Sequence, residues 1–313
     1  MDTDRIIFMQ VNDIPRNFDI NLISKNPILD IAARFWDDER YHAFKVCYQS
    51  MRVLDDLVDN NKTAAMIISK LEQQQLASVV ETWLKNSEVA DSPLKKSLLD
   101  TQLKFHIPKN PWKNLCKSMI YDIHHNGFDS FKVFLEYCEG AAVAPASIFM
   151  HLCGVVKENG EYAVPKFDIV EMARPLARFC YLVHIIRDFK KDQNENLNYF
   201  ADDLLKENNL TRPMLKTIAN ESITDDFRNL MQIYHNRAEE YRSESRTMLD
   251  NLKNQLAPRY VLSLEIIYSL YLQIFERINV QTGAFSEDEL QPSPEEIQNR
   301  INQTISLFEA ASR

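Results

Sequence analysis

Apolar residues recur at intervals of three and four along nearly the whole chain, the spacing that lays one face of an α-helix against a core. Asn26-Pro27 opens a helix with proline at its first position, and Ile28, Ile31, Ala32 and Phe35 follow at i, i+3, i+4 and i+7. A second helix from about Asp38 carries Tyr41, Phe44, Val46, Tyr48 and Val53. Thr63 to Leu84 predicts a third, with Ile67, Ile68, Leu71, Leu76, Val79, Val80 and Trp83 on it. Asp91-Ser92-Pro93 and Lys109-Asn110-Pro111-Trp112 mark two further starts, and Gly127 and Gly140 mark breaks between shorter helices. Asp168 to Asp192 is the longest strongly apolar helix and is expected to run through the middle of a bundle. Asp225 to Leu252 is amphipathic and charge-rich, hence an outer helix, while Pro258 to Ile278 is apolar again. Tyr162-Ala163-Val164 is strand-like but very short. Residues 284–296, acidic and carrying Pro292 and Pro294, are expected as a surface loop before a last helix. With no internal repeat and no low-complexity linker, the pattern gives a single all-α domain over residues 1–313, with residues 1–24 as an N-terminal extension.

Composition narrows the function. Five glycines in 313 residues leave nothing for a glycine-rich phosphate loop. A net charge of −9 argues against nucleic acid, whose phosphates need basic faces. The five cysteines are scattered without a C-x-x-C spacing, so buried free thiols are expected rather than zinc or a disulfide framework. The first residues show no basic stretch followed by an apolar one. No run reaches about 18 uninterrupted apolar residues, the length of a membrane span. A cytoplasmic protein is the expectation.

Two acidic clusters then change the picture. They are Arg52-Val53-Leu54-Asp55-Asp56-Leu57-Val58-Asp59 and Arg187-Asp188-Phe189-Lys190-Lys191-Asp192. Residues four apart share a helix face, about 5–6 Å apart at Cβ, so each pair sets two carboxylates side by side. Such an arrangement repels itself unless a cation intervenes. Magnesium suits it, taking one or two carboxylates, several waters and phosphate oxygens. Among 45 acidic residues some D-x-x-x-D pairs arise by chance and sit in solvent. These two follow strongly apolar helices, where an unpartnered carboxylate would be costly.

The chain resembles the squalene/phytoene synthase family of head-to-head prenyl synthases from about Asn26 to about Asn299. Phe35-Trp36…Arg40…Ala43-Phe44…Tyr48…Arg52…Asp55-Asp56-Leu57-Val58-Asp59 is similar to the family's first aspartate-rich helix. Tyr137-Cys138-Glu139-Gly140-Ala141-Ala142-Val143-Ala144-Pro145 is similar to its Y-C-x-x-x-A segment. Ile186-Arg187-Asp188-Phe189-Lys190-Lys191-Asp192 is similar to its second, with Tyr199 following at the family's spacing. The resemblance implies an isoprenoid-synthase-type helical bundle with a central cavity. It implies two or three Mg²⁺ ions held by Asp55, Asp59, Asp188 and Asp192, bridging the diphosphates of farnesyl or geranylgeranyl donors. Tyr48, Arg52, His184, Arg187 and Tyr199 would contact substrate. A cyclopropylcarbinyl diphosphate would rearrange to a C30 or C40 hydrocarbon, a sterol, hopanoid or carotenoid precursor, with NADPH used if the product is squalene. Peripheral membrane contact would follow from such a product.

The pattern departs from the family in places. Tyr181 and His184 stand where it usually carries glutamine and asparagine, the asparagine helping to bind metal. Asn196-Leu197-Asn198-Tyr199-Phe200-Ala201 stands where it has G-R-x-Y-L-P, and Val143 and Pro145-Ala146 replace a glycine and a V-G pair. The chain reads as a divergent member. Two other functions compete: a class I terpene cyclase, whose N-D-x-x-S-x-x-x-E helix has no match near Asp188, and a catalytically silent relative acting as a scaffold.

Several residues also have a plain structural reading. Arg52 pairs simply with Asp55, Asp56 caps the same face, and Arg187 directly precedes Asp188 and so points off the aspartate face. Lys190 and Lys191 balance charge, His124-His125 lies on the surface, and Lys25 only weakly matches a phosphate contact.

Overall fold

In the computed structural model, which describes residues 27–64 and 69–311, the helices predicted from periodicity wrap a common core. The first is α1 (Ile28–Ala33), where Pro27 sits at the N-cap rather than inside the helix. It leads into α2 (Asp38–Ala64), which starts at the expected aspartate but runs on past Thr63. The next helix, α3 (Lys70–Lys85), begins later than expected because Ser69 and Glu72 close a capping box there. Ile67 and Ile68, assigned to that helix from sequence, lie outside the described residues, as do residues 1–24 and Lys25.

Ser92 caps α4 (Pro93–Phe105), and proline opens α5 (Asn110–His124), both at the predicted punctuation. His124 and His125 are exposed as expected, with His125 stacked on Tyr121. Gly127 marks a true break, at φ +112°, where glycine avoids the penalty a side chain would meet. Gly140 does not. Helix α6 (Phe131–Cys138) continues through a π turn (Glu139–Val143) into α7 (Ala144–Gly154). The wider turn fits a proline one residue into α7, since Pro145 has no N–H to offer the preceding turn. The Ser118 hydroxyl on α5 donates to the Tyr137 carbonyl at 2.8 Å.

Gly140 is needed for close approach: a Cβ there would overlap the Asn114 carbonyl oxygen and the Ser118 hydroxyl. Gly140→Ala is therefore expected to destabilise the fold by about 1–3 kcal/mol, the range for an overpacked core. Urea unfolding would read this as a lower midpoint at unchanged slope. The run Phe131–Gly154 is also long and apolar enough to cross a membrane, but more than half of its most apolar stretch is buried against neighbouring helices.

A short antiparallel hairpin, β1 (Val156–Glu158) and β2 (Glu161–Ala163), follows. Asp168 caps α8 (Ile169–Arg187). This helix is central, packed on α7, the π turn, α12 (Asp225–Leu252) and α13 (Pro258–Phe275). It is shorter than predicted. The helix stops at Arg187, and Asp188 turns the chain into α9 (Phe189–Asn194). Two short helices, α10 (Asp202–Glu207) and α11 (Arg212–Asn220), lead to α12, whose ends match the predicted ones. Residues 284–296 are not merely surface. They fold around α14 (Glu287–Leu290), bury Phe285 and Leu290, and lead into α15 (Pro294–Ala311), which packs on α13. All five cysteines are free thiols, four of them buried.

Candidate active site

Two helices make the largest contributions to the site. On α2, Tyr48, Met51, Arg52, Asp55 and Asp59 follow at helical spacings of three and four. On α8, Ala173, Leu176, Ala177, Cys180, Tyr181, His184 and Ile185 do the same, and Asp188 continues the series. Both series line one cavity of about 520 Å³. Leu29, Phe149, Met150, Leu264 and Ile267 add apolar wall from α1, α7 and α13. From Ala173 to Asp188 a helical rise of 1.5 Å per residue covers about 22 Å, and along it the lining passes from alkyl to acidic. Asp55, Asp59, Asp188, Asp192, Tyr48, Arg52, His184, Arg187 and Tyr199, all singled out in the sequence, line this cavity.

The two acidic groups are differently furnished. Arg52 donates to Asp55 at 2.6 Å and also to Asp56, in a half-exposed cluster on α2. Burial raises the Asp55 carboxyl above its ordinary range; Arg52 opposes that, while Asp56 and Asp122 add to it. Asp188 is only 4% exposed and tightly held. Arg187 grips both its oxygens, Nε to Oδ1 at 2.6 Å and Nη2 to Oδ2 at 2.9 Å, despite being its immediate neighbour in sequence. His184 Nε2 adds a contact to Oδ2 at 2.9 Å. Burial alone would raise the Asp188 carboxyl, but these donors outweigh it and hold the group well below the usual carboxylate range. Asp192 shows the opposite balance. Burial first and the Asp188 charge second push its carboxyl up to about 8, only partly offset by Lys191.

The break in the helix explains how Arg187 reaches Asp188. Asp188 lies at φ −90°, ψ 5°, outside regular helix, so adjacent side chains need not diverge by the usual helical angle. A sequence pattern does not carry that information.

Residues outside the candidate site set of the sequence also line the cavity. Tyr137, Tyr181 and Tyr271 line the cavity, and burial raises each phenol well above the ordinary tyrosine value. Tyr199, raised the same way, meets Tyr181 edge-on at 6.1 Å between ring centres. Glu195 and Lys191 line the acidic end. Asp122, buried on α5, acts through its charge on Asp55, Tyr137, Tyr181 and Tyr199. Its signal was present: Leu115, Cys116, Met119 and Ile123 form a buried stripe on α5, and Asp122 is the acid inside it.

Oxygen donors suit a hard divalent cation. Among the described residues, no three His, Cys, Asp or Glu side chains converge to form a ready-made metal cage. The donor set still fits magnesium, which is held by one or two carboxylates with water and phosphate completing its shell. Asp55, Asp59 and Asp192 present such carboxylates to one cavity, and the raised Asp192 carboxyl marks a buried acid that a cation would relieve.

Comparison with known proteins gives the family and the fold. The squalene/phytoene synthase family profile matches residues 30–296. A chloroplastic phytoene synthase from an Oncidium hybrid cultivar is 26% identical over 245 residues, covering 77% of this chain. The chain spans about half, 55%, of that relative's length. Among solved structures, a ligand-bound dehydrosqualene synthase superposes with a TM-score of 0.71 at 17% identity, covering 93% of this chain and 95% of the other. The squalene synthase HpnC from Alicyclobacillus acidocaldarius gives 0.61 at 16% identity, covering 82% and 92%. These two likenesses establish the fold, an all-α isoprenoid synthase bundle.

Proposed function

This chain belongs to the squalene/phytoene synthase family, and on that premise we propose that it joins two prenyl diphosphates head-to-head into a squalene- or phytoene-type hydrocarbon. One observation carries the reading: a single cavity runs from an apolar end to an end where carboxylates of two helical segments and two arginines meet. An isoprenoid tail needs the first end and a diphosphate the second.

The side chains divide the work. Ala173, Leu176, Ala177, Phe149, Met150 and Ile267 provide alkyl and aromatic wall that orients the tails and excludes water from an allylic cation. The faces of Tyr137, Tyr181 and Tyr271 offer negative π density to such a cation. Their phenols stay protonated through the neutral range, so none competes as a base. Arg52 gives charge-assisted hydrogen bonds to phosphate oxygens when its bonds to Asp55 and Asp56 loosen. Magnesium would be held by Asp55, Asp59 and Asp192, and when bound it neutralises the departing diphosphate.

The direct test incubates the protein with farnesyl or geranylgeranyl diphosphate and Mg²⁺, with and without NADPH, followed by mass spectrometry of the extract. A C30 or C40 hydrocarbon is the expected product. C15 or C20 products would instead identify a cyclase. Release of no diphosphate from any donor would favour the scaffold reading, which has one observation on its side: Asp188 and His184 are already engaged with Arg187. We further propose a cytoplasmic protein that meets the bilayer peripherally when it delivers its product. Failure to float with liposomes would count against that.

A further inference from the structure

We propose that Asp188 is a positioning residue in this protein rather than a metal ligand, and that with Arg187 and His184 it forms a closed cluster standing where a divalent ion would otherwise sit. The inference rests on the prenyl diphosphate reading of the cavity and assigns the two halves of its acidic end different work.

The hydrogen-bond chemistry is determined by Arg187. A guanidinium can only donate, and its Nη2 lies 3.1 Å from His184 Nδ1. His184 Nδ1 must therefore accept, which leaves the ring proton on Nε2, where it is donated to Asp188 Oδ2 at 2.9 Å. Both ring nitrogens are used within the protein. No lone pair on His184 remains for a metal while these bonds hold.

Asp188 is equally committed. Two ionised oxygens offer about four acceptor positions, and Arg187 Nε, Arg187 Nη2 and His184 Nε2 fill three of them. Arg187 matches its charge in a fork geometry that a point cation would have to dismantle. Both partners are shielded, with side chains 14% and 6% exposed, so separating them would strand buried charge.

A fourth residue braces the group. Gln291 Oε1, from the segment between α14 and α15, accepts from Arg187 Nη1 at 3.2 Å. Four of the five N–H groups of Arg187 are thus engaged by Asp188, His184 and Gln291. Asp192, one turn beyond Asp188, has no basic side chain hydrogen-bonded to it among the described residues. The divalent ions are therefore assigned to Asp55, Asp59 and Asp192 of the cavity lining rather than to Asp188.

Mn²⁺ binding to the full chain, measured by calorimetry and electron paramagnetic resonance without substrate, separates these roles. Asp188→Asn is expected to bind the same number of Mn²⁺ ions within about threefold of the parent affinity. Asp192→Asn should bind at least tenfold more weakly. A tenfold or greater loss in folded Asp188→Asn, matching that of Asp192→Asn, would overturn the inference. His184→Asn supplies a test that does not depend on Asp188→Asn folding. Freeing Asp188 Oδ2 should add an ion or tighten binding at least threefold, and unchanged binding would overturn the inference. A non-hydrolysable farnesyl thiodiphosphate titrated beside the metal keeps the premise separate. Its failure to bind the parent protein at any Mn²⁺ concentration would reject the prenyl reading, whatever the metal stoichiometry shows.

Discussion

Replacing Asp55 with asparagine is expected to lower kcat/KM for diphosphate release from farnesyl diphosphate by about a thousandfold, equivalent to about 4 kcal/mol of transition-state stabilisation. Asp55 shares the acidic end of the cavity with Asp59 and Asp192, and on the proposed mechanism its carboxylate helps hold the cation that offsets the departing charge. Asparagine keeps the size and one oxygen but removes the negative charge. The fold should survive. Asp55 is half-buried, its principal ion pair is the half-exposed one with Arg52, and Asp56 remains as a second partner for that arginine. Pairs this exposed contribute about 0–1 kcal/mol, so thermal unfolding should change little. The measurement is a continuous pyrophosphate assay beside a melting curve. Turnover within tenfold of the parent, with an intact melt, would remove Asp55 from the reaction.

The reason Asp55 could be found at all lies in helical geometry. Tyr48, Arg52, Asp55 and Asp59 share one face of α2 because their spacings are multiples of three and four, and nothing beyond local periodicity is needed to see that. Helix α12 was legible from end to end because Thr224 caps its start and its amphipathic stripe continues without interruption to Leu252. Where a local rule met a tertiary one, the sequence was less informative. Gly140 reads as a breaker, yet the helix continues through it, because what requires glycine is the nearness of Asn114 and Ser118 on another helix. The acidic, proline-bearing stretch 284–296 reads as surface, but Phe285 and Leu290 anchor it and Gln291 reaches Arg187.

The same limit applies within the second acidic cluster. Its spacing resembles that of the first, so periodicity treats the two pairs as equivalent. The structure makes them unlike: the turn at Asp188 lets a neighbouring arginine fold back onto it, while Asp192 is left with burial and a nearby like charge. Asp122 illustrates the converse, a polar residue on an apolar stripe, visible in the sequence once the buried face of α5 is counted around it.

That difference between Asp188 and Asp192 predicts a mutation that stabilises the protein while weakening its metal binding. The Asp192 carboxyl rises from an ordinary value of 3.8 to about 8 in the folded chain. A group whose folded pKa lies above its unfolded one binds its proton more tightly when folded. Its favourable contribution is complete below pH 3.8 and is lost as pH climbs to about 8. Above that, the native state holds a buried carboxylate that Lys191 only partly compensates. Asp192→Asn removes the charge and keeps the shape. The metal-free variant should thus match the parent near pH 4 and exceed it increasingly up to pH 8, by about 5–6 kcal/mol at the plateau, from 1.36 kcal/mol for each of about four pKa units. Chemical denaturation of both proteins in a chelator at pH 4, 6 and 8.5 would show the gap opening, and subtracting one curve from the other cancels the groups that do not interact with Asp192. Adding Mg²⁺ or Mn²⁺ at pH 8.5 should narrow the gap, because ligand binding to the native state stabilises the parent more than the variant. A gap that is constant with pH, or that closes as pH rises, would show that Asp192 is not a carboxylate held in reserve for a cation. On the proposed mechanism the stability given up at Asp192 is the counterpart of its role, since a carboxyl raised by burial and a neighbouring like charge is one that a cation would relieve.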